Sequence, residues 1–341
     1  MSQKRKLVHA AHGINKQSGG ARSTKMARLR HLKEFISHCA DHKLGMTDFK
    51  SVTREMLVSY VQTLKSPNRG RPNSTATIHN KLAAIRAALK SHGVDLNALG
   101  VENNAGLELD SRSRLGKKEP VTDAVFEGAL AKAEDLGELG FFHCIRLERY
   151  LGLRGLEAVM STTALTTYAQ EAVQMSGLSL REVKIFDGTK GGRPRETAVI
   201  VKFAKETLSA ITEALEYAAN NGGYLVRGKK SGLKEARARY HKIAIAVGLT
   251  GKSSPHALRY RYTCDKLEEL RDLGVPRQEA LILASKWLGH GAGRGRWVSM
   301  VYGRSVTASY PKSTRLRSQS QALLQIVEMM GSNISNPANG A

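Results

Sequence analysis

Residues 255–304 of this chain contain three short motifs: PHALR at 255–259, WLGH at 287–290 and VYGR at 301–304. Together they supply one phenol, two imidazoles and one guanidinium in a basic part of the sequence. A phenol can act as a nucleophile, a guanidinium can hold the non-bridging oxygens of a phosphate, and an imidazole can hydrogen-bond or move a proton. This combination predicts attack on a phosphodiester by Tyr302.

Two further motifs precede these three. GLRGLE at 152–157 places Arg154 at a glycine-flanked turn between two helical patterns, and TKGGRPR at 189–195 forms the basic, glycine-rich tip of an expected hairpin. Taken alone, the first could be a surface arginine and the second a flexible turn. The second motif lacks the spacing of a phosphate-binding P-loop.

In this order, the motifs resemble those of the tyrosine recombinases, the phage-integrase family. The resemblance covers the catalytic half of the chain, whereas the first half matches the family only in its helical character. It implies that Glu157 braces the region around Arg154, and that Lys190 is a mobile lysine on a hairpin. The catalytic residues it implies are Arg154, Lys190, His256, Arg259, His290 and Tyr302.

The position of the nucleophile has one alternative. The interval between His290 and Tyr302 is longer than the family usually shows, so Tyr310 is a rival. We expect Tyr302, because a short helical pattern ends there, whereas Tyr310 precedes Pro311, which disfavours helix.

The resemblance implies a site-specific recombinase of a mobile genetic element, acting in DNA recombination and integration. It implies a 3′-phosphotyrosyl intermediate formed without metal or nucleotide cofactor, in a homotetramer on two recombination sites of double-stranded DNA, with accessory DNA-bending proteins as possible partners. Two alternatives stay open: a type IB topoisomerase-like enzyme, and a non-catalytic DNA-binding or architectural protein.

The composition agrees with a polyanionic partner. Lys and Arg number 53 against 30 Asp and Glu, a formal charge of +23, and such an excess favours nucleic acid. No apolar run is long enough to span a bilayer and no signal-peptide core follows the N-terminus. We therefore expect a cytoplasmic, nucleoid-associated protein without a membrane partner. The three dispersed cysteines, and His38 with His42 one helical turn apart, form no metal-binding pattern.

Periodicity predicts the domain organisation. We expect a mainly α fold with a small antiparallel β-sheet, in which a helical core-binding domain precedes an α+β catalytic domain. The expected segments are a flexible basic arm at 1–20, a DNA-clamping helical domain at 21–104, a linker at 105–119, the catalytic domain at 120–330 and a disordered tail at 331–341. An apolar helix within 318–330 is expected to dock on a neighbouring subunit or pack on its own.

Exposed basic residues of helices and loops are the expected DNA contacts, because protein–DNA hydrogen bonds go mainly to phosphates. They are Lys25, Arg28, Arg69, Arg71, Arg193, Arg195, Arg294 and Arg296.

Overall fold

The structure is a computed structural model that describes residues 2–66, 72–111, 115–116, 118–174, 182–228 and 232–310. The chain divides into two compact units, Met1–Ser113 and Arg114–Ala341. The predicted 318–330 helix and 331–341 tail lie outside the described residues.

The first unit is helical. Its helices are α1 (Gln3–Gln17), α2 (Arg22–Asp41), α3 (Arg54–Lys65) and α4 (Thr75–Ser91). Two of these helices are capped at the first turn. The hydroxyls of Thr53 and Ser74 accept from the backbone N–H groups of Met56 and Thr77, which satisfies donors that the first turn leaves free. The apolar faces of these helices form one core around Phe35, Leu57, Leu82 and Ile85, all fully buried.

The predicted flexible arm is wrong over most of its length. Residues Gln3–Gln17 form helix α1, and Leu7, Ala11 and Ile14 lie buried in the core of the first unit. These three residues recur at four- and three-residue steps, the spacing of one helical face. Because basic residues surround these three positions, the apolar spacing was not recognised in the sequence.

Part of the predicted linker also belongs to the core of the first unit. Leu107 is fully buried beside a short 3₁₀ turn, Ala105–Leu107, and Leu109 is buried close by. The predicted linker at 105–119 therefore contains two buried leucines among its polar residues.

The second unit contains the remaining helices and the sheet. Its helices are α5 (Asp123–Asp135), α6 (Leu139–Leu151), α7 (Gly155–Met160), α8 (Thr162–Gln174), α9 (Ala204–Asn220), α10 (Leu233–Ala246), α11 (His256–Asp272), α12 (Arg277–Trp287), α13 (Gly295–Val301) and α14 (Arg304–Thr307). Strands β1 (Glu182–Ile185) and β2 (Arg195–Ala198) pair antiparallel, with Val183 opposite Thr197. The predicted fold class is confirmed.

The sheet differs from the prediction in its limits. We expected strands over 178–186 and 197–203, but β2 begins two residues earlier, and Val201–Phe203 form a 3₁₀ turn. Side chains alternate across a strand, so the earlier start places Arg195 on the same, inward face as the buried Thr197. That placement bears directly on the site.

Helix α11 is the central element of the second unit. Its Ala257 and Leu258 belong to one apolar cluster, and its Leu267 and Leu270 belong to another that includes Tyr302. The helix ends where Gly274 adopts a left-handed conformation (φ +74°), a common helix stop. This packing fixes the direction in which the first turn of α11 points.

No helix in the described part of the chain is long and apolar enough to cross a membrane.

Candidate active site

Tyr302 follows α13 immediately and lies among other rings. Its hydroxyl is 3.4 Å from Nε2 of His256, and its ring centroid is 4.6 Å from that of Tyr260 and 5.7 Å from that of His290. An oxygen–nitrogen separation of this length is a loose hydrogen bond, as is common for reacting groups without substrate. The phenol thus has an imidazole within reach as a proton acceptor.

The rival Tyr310 is placed differently. Its hydroxyl donates to the backbone carbonyl of Leu267 at 2.6 Å, and burial raises the pKa of Tyr310 far above its ordinary value. A phenol that is committed to the core and hard to ionise is a poor nucleophile.

His256 opens α11, directly after Pro255. Burial, followed by the positive charges of Arg259 and Lys118, lowers the pKa of His256 to about 4. The imidazole is therefore neutral at pH 7 and can accept a proton.

His290 follows Gly289, whose left-handed φ of +65° ends α12. A side chain at Gly289 would place its Cβ 2.6 Å from the Cδ of Arg195, so the turn requires glycine. Burial, followed by Arg259 and Arg154, lowers the pKa of His290 to about 4. Its buried Nε2 has no hydrogen-bond partner among the described residues.

Arg259, one turn along α11, is fully buried. It donates to the carbonyls of Gly152 and Leu288, which end α6 and α12. Helix C-termini carry partial negative charge, so they stabilise a guanidinium. Burial, followed by Arg195 and Arg154, still lowers the pKa of Arg259 to about 9. The guanidinium is charged at pH 7, and its buried Nε has no partner among the described residues.

Glu157 is the carboxylate around which these arginines gather. It is fully buried, and it accepts from the guanidinium of Arg154 and from Nε (3.1 Å) and Nη2 (2.6 Å) of Arg195. Burial favours the neutral acid, but the hydrogen bond and charge of Arg195, then the charges of Arg259 and Arg154, lower the pKa of Glu157 to about 2. Three guanidiniums therefore surround one carboxylate, and the positive excess favours an anion.

Two arginines that we expected to be exposed DNA contacts are buried in the structure. Arg195 is buried, and it also donates to the carbonyls of Trp287 and Gly152. Arg28 is buried and donates to the carbonyls of Ser18 and Gly19, each at 3.2 Å. Both guanidiniums hold backbone in place. The strand alternation from Arg195 to Thr197 was the signal that could have identified the first.

The other predicted residues are distributed as follows. Lys190 lies in the turn between β1 and β2 and is exposed, close enough for its charge to act on His290. Lys25 is half-buried, with its ammonium 3.3 Å from the carbonyl of Lys16. Arg193, Arg294 and Arg296 are exposed, whereas Arg69 and Arg71 lie outside the described residues.

Comparison with known proteins agrees with this arrangement. The integrase family model matches residues 108–265. A variant of the Tn1549 transposon integrase, solved with transposon right end DNA, is 14% identical over 96% of this chain and 99% of that chain, with a TM-score of 0.55. The same integrase with circular intermediate DNA is 14% identical over 94% and 99%, with a TM-score of 0.52. Comparison with curated proteins gave no match.

These findings define the class as a DNA strand-transfer enzyme of the tyrosine type, and the predicted resemblance is confirmed. The chain matches the integrase family model over residues 108–265 and is similar in fold to the tyrosine recombinases. It is a site-specific recombinase, and neither the topoisomerase nor the non-catalytic alternative is favoured.

Proposed function

We propose that this recombinase cuts DNA by attack of the Tyr302 phenol on a backbone phosphate. The attack forms a 3′-phosphotyrosyl bond and releases a 5′-hydroxyl. The 5′-hydroxyl of a partner strand then attacks the phosphotyrosine and restores a phosphodiester. Because the energy of the broken bond is retained in the phosphotyrosine, the exchange needs no nucleotide.

The observation that carries this proposal is the convergence of Tyr302, His256, His290 and Arg259 at one place in the second unit. The Tyr302 hydroxyl lies 3.4 Å from a neutral imidazole. Beside it, Nε of Arg259 and Nε2 of His290 are buried without partners among the described residues. A buried polar atom left unpaired costs about 1–3 kcal/mol, and such atoms often mark a catalytic role. Phosphate oxygens would supply the acceptors that a protonated Nε2 and Nε lack.

The electrostatics of the site also favour a phosphate. Arg154, which is partly exposed, and Arg259 would hold the non-bridging oxygens and stabilise the charge that develops in the transition state. The phosphate would bring a negative charge next to His256 and so raise its pKa from about 4. The imidazole would then become a better acceptor of the phenol proton when substrate is present.

Lys190 would protonate the leaving 5′-oxygen. It lies on an exposed turn between two short strands, and a lysine is a long, flexible donor suited to this task. The turn contains Gly191 and Gly192, both with positive φ.

The substrate would be double-stranded DNA at the ends of a mobile element. The Tn1549 integrase was solved with DNA of this kind, and the charge of +23 suits a polyanion. By family likeness, four subunits would act on two sites, in the cytoplasm on nucleoid DNA.

Covalent trapping tests the proposed nucleophile. Duplex DNA from the ends of the element, nicked beside the cleavage position, would be incubated with the protein in EDTA and run on a denaturing gel. We expect an adduct from the native chain and from Tyr310→Phe, and none from Tyr302→Phe. An adduct lost only in Tyr310→Phe would move the nucleophile, and tight binding without any adduct would contradict the reaction.

A second assay distinguishes recombination from relaxation. Two linear duplexes that carry the site should yield exchanged linear products. If only supercoil relaxation occurred, the proposed strand exchange between two sites would be wrong.

A further inference from the structure

The chain enters the second unit through a segment that contacts the elements carrying both Tyr302 and His256. We call residues 115–116 and 118–119 the entry segment. The backbone N–H of Gly116 donates to the carbonyl of Met300 at 3.3 Å. The ammonium of Lys118 donates to the hydroxyl of Ser254 and to the carbonyl of Gly251 at 3.2 Å.

The contact at Gly116 is close. A Cβ at this position would lie 2.5 Å from the carbonyl oxygen and 3.0 Å from the Cα of Val301. Separations this short involve backbone atoms, so any side chain would push α13 and the entry segment apart. Val301 is the residue before Tyr302, so such a shift would move the phenol directly.

The contact at Lys118 lies on the His256 side of the Tyr302–His256 pair. Gly251 and Ser254 belong to the turn that leads into α11, whose first residue is His256. The backbone N–H of Ala257 donates to the carbonyl of Ser254 at 2.6 Å. Holding Ser254 therefore holds the first turn of the helix that presents the imidazole.

We propose that Gly116 and Lys118 are positioning residues that keep the Tyr302 phenol and the His256 imidazole facing each other. The assignment rests on the proposed function. Each contact ties the entry segment to one partner of the 3.4 Å pair, so a loss at either end removes one restraint on the separation of the phenol and the imidazole. Reacting groups displaced by about 1 Å can lose on the order of 100-fold in rate.

The positive charge of Lys118 also lowers the pKa of His256, and among the charged side chains only Arg259 lowers it more. Removing the Lys118 charge should raise the pKa of His256 and move the acid limb of the cleavage rate to higher pH. The charged and titratable groups near His256 are Arg259 and Tyr260 on α11, Lys118 in the entry segment, Arg154 and Glu157 at the start of α7, and Tyr302 after α13.

The test compares single-turnover formation of the covalent complex on the nicked duplex, with protein in excess, from about pH 4.5 to about pH 8. The variants are Lys118→Met, Lys118→Arg and Gly116→Ala. The matched control is Lys205→Met, which removes an exposed lysine of α9. DNA affinity and melting temperature are measured for each.

We expect Lys118→Met to slow adduct formation about tenfold or more at saturating protein and to shift the acid limb upward. Lys118→Arg should restore both, and Lys205→Met should change neither. Gly116→Ala should slow adduct formation while DNA binding is retained. An unchanged rate and pH profile in Lys118→Met, or a loss matched by Lys205→Met, would overturn this assignment alone. A native chain that forms no adduct would overturn the proposed reaction and the assignment together.

Discussion

Arg193 and Arg195 lie two residues apart, yet the first is exposed and the second is buried. Arg193 is exposed in the turn before β2. Arg195 is buried, is paired with Glu157, and donates to the carbonyls of Trp287 and Gly152. Replacing each by alanine separates an exposed arginine, which we expect to contact DNA, from one that holds the site together.

The magnitude follows from burial. Without Arg195, the buried Glu157 loses two hydrogen bonds and the carbonyls of Trp287 and Gly152 lose that donor, and breaking such a buried ion-pair network costs about 3–5 kcal/mol. For a unit of roughly 200 residues, about 1 kcal/mol corresponds to about 2–4 °C in melting temperature, so Arg195→Ala should lower it by about 6–20 °C. Arg193→Ala, an exposed substitution, should change stability by at most about 0.5 kcal/mol.

Tryptophan fluorescence provides the assay. The chain contains two tryptophans, Trp287 and Trp297, and both lie in the second unit, so their signal reports that unit alone. Urea and thermal unfolding of the full chain would be followed for the native protein and both variants.

The two variants should also differ in DNA binding. Arg193→Ala should weaken DNA binding with native stability. If Arg195→Ala unfolded like the native chain and lost only DNA affinity, the buried role of Arg195 would be refuted and the hairpin-tip contact expected from the sequence would be restored.

Four further results are expected. Gly152→Ala should destabilise the second unit, because φ is +59° and the new Cβ would lie 2.3 Å from the Tyr262 ring. The control Gly128→Ala in α5, where the new Cβ meets open space, should be neutral or stabilising by up to about 1 kcal/mol. Equal urea midpoints for the two variants would contradict this. Leu7→Ala should lower the free energy of unfolding of the first unit by about 2–5 kcal/mol, whereas the exposed control Lys4→Ala should change it little, as measured by circular dichroism. An unchanged stability in Leu7→Ala would mean that α1 does not pack on the first unit. Because the pKa of Glu157 is about 2 when folded, its stabilisation is present above about pH 4.5 and lost as the pH falls towards 2; Glu157→Gln should flatten that part of the stability profile, and an unaltered slope would count against the ion-pair cluster. Lys190→Ala should slow cleavage of normal DNA by roughly 10²–10⁴-fold. It should not slow cleavage of DNA with a 5′-bridging sulfur, since a thiolate leaves without a proton. An equal loss on both substrates would exclude Lys190 as the general acid.

The sequence predicted the fold class well because the helical periods and caps are local signals. Thr53, Ser74 and Thr122 each accept the backbone N–H three residues further on, and so cap α3, α4 and α5. The arm at 1–20 was mispredicted because a narrow apolar stripe is hard to recognise among basic residues. Only the packing of the first unit shows what that stripe buries.

The site was predictable in residue type and less so in role. The family motifs identified side chains that the structure brings together around Tyr302. They could not show that Arg195 turns inward, because the expected strand began only at Thr197 and left Arg195 in the turn, whereas β2 begins at Arg195 and places it on the buried face. Nor could they show Lys118 beside Ser254, since that contact joins residues far apart in the chain.

Mass spectrometry of the covalent complex identifies the nucleophile most directly. After nuclease and protease digestion of the trapped adduct, fragmentation of the nucleotide-bearing peptide would locate the modified residue. We expect a nucleotide linked through its 3′-phosphate to Tyr302. A nucleotide on Tyr310 or on any other residue, or one linked through a 5′-phosphate, would contradict it.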